Sequence, residues 1–317
     1  MAIAFLAIGL SRTPLSAQMA AAGAAPEAMH ETVSVGYVMI PFTVLGARGN
    51  PITDLRAPEV RLLVDGSSVR SDLFEKSQNA PVSFTILLDG SGSMGLAGKM
   101  DSARAAIGAL LAHRQSGDDF ALFVFAESAA VEVVPFTQNP ADITKALSHV
   151  TPFGKTAFFD AIATMPERSQ LGRNPTRAII LLSDGIDNAS ELTRRDLAAR
   201  LQGVSVPIYP LGLREPGDQP KPSSRAAQEA LSDVGLLDEV ARLTGGKLYL
   251  GSTPQQIAQA IANAEHDLRA QYLIGFAPTG KGDVRYRKIS LKVASRVRNV
   301  RVRAGYLGTE PPVMTTR

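Results

Sequence analysis

The chain has no cysteine and no tryptophan. Without cysteine there are no disulfides, thiolate metal ligands, cysteine nucleophiles or lipid attachments through sulfur. The compartment stays open, because exported proteins can also lack cysteine. Aromatic residues make up only 6% of the chain, and no aromatic-plus-basic stripe of the kind that stacks single-stranded nucleic acid is present. Histidine is scarce and scattered: His30, His113, His149 and His266 form no His-x-x-x-His pair, so a zinc hydrolase has no ligand set here. Charge is nearly balanced, with 33 Lys and Arg against 30 Asp and Glu, so nucleic acid is not an expected partner. No apolar run approaches the ~20 residues that span a bilayer.

What is present is enough for a substantial core. The 317 residues are 45% hydrophobic and leave room for about two domains. Near the N-terminus, Ala2 to Leu10 is a short apolar run, followed by Pro14-Leu15-Ser16-Ala17-Gln18. The pattern predicts a signal peptide over 1–17, although no Lys or Arg precedes the apolar run, and hence an exported protein, periplasmic or secreted. Residues 18–31 are Ala-rich and patternless and read as a linker.

From Glu31 the composition turns β-branched and partly alternating. Asp65-Gly66 between apolar runs signals a hairpin. Residues 32–78 are therefore expected to form one part of a small β module. From Pro81 strands and helices alternate. The strand candidates 82–88, 119–126, 177–183, 204–211 and 247–250 are mostly continuous apolar runs, as strands buried on both faces require. Helices are expected near 98–113, 156–168, 191–202, 233–243 and 254–270, with 129–136 as an added edge strand and 214–226 as a polar, Pro-rich loop. The implied fold class is α/β: a doubly wound, mostly parallel sheet over 79–270. After residue 270 the helical rhythm stops, and three strands in 271–308 are expected to join the 32–78 module in a β-sandwich-like unit. Residues 309–317 form a tail.

The most informative stretch is Asp89-Gly90-Ser91-Gly92-Ser93-Met94-Gly95. It contains Gly-x-Gly-x-x-Gly after a strand, the spelling of a dinucleotide-binding turn. But Asp89 stands where the pyrophosphate would sit and would repel it, and the acid expected ~20 residues on is missing. Read as oxygen donors, Asp89, Ser91 and Ser93 lie at alternate positions of a tight loop and can converge on one point. One carboxylate with hydroxyls suits a hard divalent cation. Asp184, after a second buried strand, and Thr156, at the start of a helix, sit at the same carboxyl edge, where open α/β sheets bind ligands.

Asp-x-Ser-x-Ser, a later Thr and a still later Asp, in the settings ILLDGSGSM, GKTAFFDAI and LLSDG, resemble the von Willebrand factor type A domain and its metal-ion-dependent adhesion site. The flanking VRLLVDG, LRAQYLIGFAPTG and RVRAGY stretches are similar to bacterial exported proteins of that group. The resemblance implies that Asp89, Ser91, Ser93, Thr156 and Asp184 hold a divalent cation, Mg²⁺ first and Mn²⁺ or Ca²⁺ as alternatives. Thr156 would join in one state, and Asp184 would often act through water. It further implies a non-enzymatic protein whose metal accepts an Asp or Glu carboxylate from a partner protein, and a last helix, 254–270, able to shift with the site.

Two other functions remain. A Mg²⁺ phosphohydrolase of the haloacid-dehalogenase type also places an Asp at a strand end, but the general acid it needs two residues later is Ser91 here. A structural assembly component would use the metal only to brace its loops. Asp160 reads as a first-turn helix acid, and Asp187 and Asn188 as caps of the helix that follows them. Asp118 and Asp119 read as surface residues at the opposite edge, and the Arg-rich segment 285–303 as one solvated strand face.

Overall fold

A computed structural model describes residues 37–46, 50–77, 80–214, 225–278, 285–293 and 299–308. The expected signal peptide, linker and tail lie outside the described residues. Strand β1 (Val38–Leu45) is followed by β2 (Val60–Val64), β3 (Ser67–Val69) and β4 (Leu73–Lys76). The β2–β3 hairpin turns on Asp65 and Gly66, both at positive φ (50° and 82°), the backbone that a two-residue hairpin of this twist demands.

Then comes the alternating region: β5 (Val82–Asp89), α1 (Lys99–Ala112), β6 (Asp119–Phe125), β7 (Val131–Thr137), α2 (Pro140–Leu147), α3 (Phe158–Ser169), β8 (Thr176–Ser183), α4 (Arg194–Leu201), β9 (Ile208–Leu213), α5 (Arg225–Thr244), β10 (Tyr249–Gly251) and α6 (Pro254–Arg269). These strands form one six-stranded sheet in the order β10-β9-β8-β5-β6-β7. All neighbours are parallel except the β6–β7 edge pair. Every residue of β5 and β9 is buried, because helices cover both faces. On one face α1, α2 and α6 pack Ile107, Leu110, Ile143, Ile261 and Leu268 against Phe84, Ile86 and Leu122. On the other, α3, α4 and α5 pack Phe158, Ile162, Leu197 and Leu237 against Leu87, Phe123 and Ile179. This is the doubly wound, mostly parallel sheet that the apolar runs imply.

The chain ends in β11 (Tyr272–Phe276), β12 (Tyr286–Val293), β13 (Asn299–Val302) and β14 (Gly305–Leu307). Together with β1–β4 they make two antiparallel four-stranded sheets, β13-β1-β11-β4 and β14-β12-β2-β3. Ile40, Phe42, Leu62, Tyr272, Ile274 and Ile289 form their common core. Phe42 and Tyr272 stack with ring centroids 5.4 Å apart.

Some boundaries differ from expectation. Helix α2 is additional, with its N-terminus set by the Asn139 side chain and Pro140. Helix α5 begins at Arg225, inside the expected loop. The last expected strand divides at Arg303-Ala304, so that β13 pairs with β1 and β14 with β12. Arg303 turns inward at that crossing and is only 4% exposed, donating to the carbonyls of Gly203 and Met39. Arg301 is likewise drawn in, 2.9 Å from Asp267 of α6. The Arg-rich segment is therefore not one solvated face. Burial lowers the Arg303 guanidinium to about 10.

Candidate functional site at the carboxyl edge

Strand β5 delivers Asp89 to the carboxyl edge with its side chain fully buried. One carboxylate oxygen accepts the Ser91 backbone N–H at 2.9 Å, and the other accepts the Ser183 hydroxyl at 2.6 Å. Burial nevertheless dominates and lifts the Asp89 pKa from 3.8 to about 6; the hydrogen bonds from Ser183 and Ser91 pull the other way, and the Asp184 charge adds to the rise. Among the described residues no ammonium or guanidinium forms an ion pair with Asp89. After Asp89 the chain passes through Ser91, also buried, into a 3-10 turn over Gly92–Gly95. The Ser91 and Ser93 hydroxyl oxygens lie 3.2 Å apart.

The second loop, 151–157, is joined to the first by main-chain bonds. Gly92 N–H donates to Gly154 O at 3.0 Å and Phe153 N–H to Gly90 O at 2.9 Å. A Cβ on Gly92 would stand 3.1 Å from that Gly154 oxygen, so the close approach depends on glycine. Thr156 is buried in this loop, just ahead of α3. Its N–H donates to the Asn188 side chain at 2.7 Å, and its carbonyl accepts from Asn188 and Ala189, each at 3.0 Å.

The third loop follows β8. Asp184 is part-buried; one carboxylate oxygen takes the Ile186 N–H at 3.4 Å and the other the Lys99 ammonium at 2.9 Å. The three expected loops thus bond one another: first to second through the main chain, second to third through Asn188, third to first through Ser183–Asp89 and Asp184–Lys99.

Ser183, Lys99 and the tethering role of Asn188 are absent from the sequence reading. Ser183 has a signal, being the last residue of a buried strand with a polar side chain. Asp187 corrects an expectation: its carboxylate caps the preceding helix, accepting the N–H groups of Phe158 and Phe159 as well as the Ser190 hydroxyl, whereas α4 is capped by Thr193. Asp160 is the first-turn acid expected, and it also anchors the N–H groups of Glu191 and Leu192.

Asp118 and Asp119 are not surface residues; they are 3% and 0% exposed. Asp118 pairs with Arg269 at 2.6 Å and accepts Val82 N–H, while Asp119 accepts from Asn174 and Ser83. They brace the opposite edge of the sheet. His113, His149 and His266 are exposed. Among the described residues no three His, Cys, Asp or Glu side chains cluster as a metal-holding group. The donors at the carboxyl edge are instead two carboxylates and three hydroxyls. No helix among the described residues is long and apolar enough to cross a membrane.

No curated protein matches this chain. Among solved structures, a von Willebrand factor type A protein from Catenulispora acidiphila is 14% identical, with 86% of this chain and 72% of that one covered and a TM-score of 0.49. An aerotolerance-related membrane protein from Bacteroides fragilis is 20% identical, covering 58% of this chain and 98% of that one at a TM-score of 0.43. The von Willebrand factor domain of a type V pili tip protein from Porphyromonas gingivalis is 14% identical, with 58% and 93% covered and a TM-score of 0.44. The family model of the von Willebrand factor type A domain matches residues 84–186. That segment, about a third of the chain, runs from β5 to just past β8 and includes Asp89, Ser91, Ser93, Thr156 and Asp184, so it is over these residues that the chain is similar to the von Willebrand factor type A domain.

Proposed function

We propose that this protein is a non-enzymatic interaction module that binds one divalent cation, Mg²⁺ foremost, at the carboxyl edge of its central sheet and through it an acidic side chain of a partner protein. The observation that carries the reading is the state of Asp89: a fully buried carboxylate, lifted to about 6, beside two serine hydroxyls 3.2 Å apart. A cation there would reverse the cost of burying that charge. The donor chemistry suits a hard, oxygen-seeking ion. Asp89, Ser91 and Ser93 would hold it from the first loop, with Thr156 and Asp184 contributing from the other two. Such an ion, when bound, supplies an electrophilic position for an incoming carboxylate.

Catalysis has less support. Ser91 occupies the position where phosphohydrolase chemistry needs an acid, and His113, at the far end of α1, is engaged with Glu265 at 3.3 Å. The residues before position 18 fit export, so the partner is an extracytoplasmic or surface protein.

Calorimetric titration of Mg²⁺ and Mn²⁺ into the chelator-stripped chain tests the reading, with Asp89→Ala alongside. Wild type should bind one ion and the variant none. Wild type that takes up no ion at millimolar concentration would refute it.

A further inference from the structure

Lys99 is the first residue of α1, its N–H bonded to Leu96 O. Local physics disfavours it there, because a cation in the first turn opposes the helix dipole. Its side chain is also only 10% exposed, and burying an ammonium and a carboxylate together carries a desolvation penalty. Its reason for being there lies 85 residues away, at Asp184 Oδ2, 2.9 Å from Nζ. The Asp184 charge adds a small upward push to the Asp89 pKa, well behind that of burial.

Resting on the metal reading above, we infer that Lys99 is a built-in counter-ion that sets the charge of the site: it holds Asp184 in place without metal, weakens divalent binding and leaves the loaded site positive towards an acidic partner. The two carboxylates and one ammonium sum to a single negative charge. A divalent cation turns this into a single positive charge, which an incoming carboxylate neutralises. Without Lys99 the same loaded site would be neutral, and a carboxylate would have only the local dipole of the ion to attract it. The ammonium also repels the cation directly, so the metal is held loosely enough to exchange.

The experiment is titration of Mg²⁺ and Mn²⁺ into the stripped full chain as wild type, Lys99→Gln, Lys99→Met and Lys99→Arg. Lys99→Gln keeps a donor for Asp184 and so protects the fold if Lys99→Met loses it. Removing the charge should tighten Mg²⁺ by about tenfold or more, and Lys99→Arg should restore wild-type affinity. A residue that only braced the loop would have the opposite effect, because a looser site binds metal less well. Neutral variants that bind Mg²⁺ as wild type does, or more weakly, overturn the inference while leaving the metal site standing. If neither wild type nor the neutral variants take up metal, the metal reading itself fails and this inference falls with it.

Discussion

Asp89 offers a stability measurement that needs no partner. Its pKa rises from 3.8 to about 6 on folding, chiefly through burial. A raised carboxyl pKa means that the folded state favours the protonated form. The stability this confers is complete below pH 3.8 and is lost as pH rises through about 6. In metal-free protein the ionised side chain therefore costs about 3 kcal/mol at pH 7.5, from two pKa units at about 1.4 kcal/mol each. At pH 4 the cost is about half a kcal/mol. Asp89→Asn keeps an acceptor for the Ser91 N–H and a partner for the Ser183 hydroxyl but carries no charge. In chelator at pH 7.5 the variant should melt about 6 °C above wild type, at roughly 2 °C per kcal/mol for a chain of this size. The gain should shrink to about 1 °C at pH 4. Mg²⁺ at a thousand times Kd should reverse the order, since about 4.1 kcal/mol then accrues to the form that binds, more than the ~3 kcal/mol cost of the ionised side chain, and nothing accrues to the form that does not. Scanning calorimetry at the two pH values, with chelator and then with Mg²⁺, covers all three statements. A variant less stable than wild type in chelator at pH 7.5, or a gain equal at both pH values, would show that burial does not govern Asp89.

Two further predictions concern the frame that holds the site. Arg269→Met strands the buried Asp118 carboxylate, now paired at 2.6 Å, and should cost about 3–5 kcal/mol in urea unfolding; a cost under 1 kcal/mol would mean that water replaces the guanidinium. Gly246→Ala would set a Cβ 1.9 Å from Ile208 O. Because backbone must move on both sides, the variant should lose about 3 kcal/mol or more by the same assay, and wild-type stability would refute the close approach.

The parallel sheet is legible in the sequence for a simple reason. Strands such as β6 and β8 are covered on both faces, so their burial leaves continuous apolar runs that no helix or half-exposed strand of that length would need. Helix α2 is harder to read because only Ile143 and Leu147 are buried, too few to set a period. The signal that was there is the cap: Asn139 followed by Pro140, with Asp142 in the first turn. The β12–β14 region shows the opposite failure. Alternation of Arg with Val reads as a strand with one wet face, but the chain changes sheets at Arg303, and the carbonyls of Gly203 and Met39 draw the guanidinium inward.

The candidate site divides along the same line. Asp89, Ser91 and Ser93 stand at fixed spacing on one loop, and a local pattern can announce them. What ties the loops together is nonlocal: Ser183 reaches Asp89 across 94 positions, Lys99 reaches Asp184 across 85 and Asn188 reaches Thr156 across 32. A polar side chain beside a strand end or a helix start has several equally good local uses, as a cap, a turn former or a solvated group, and the linear sequence does not rank them. Burial ranks them. Once β5 and β8 are parallel neighbours paired from Val82/Thr176 to Leu88/Leu182, the next residues, Asp89 and Ser183, fall opposite each other, and the hydroxyl has a carboxylate within reach. The strand register therefore decides which polar side chains meet at the site, and an error of one position in either strand would turn Asp89 or Ser183 to the other face of the sheet.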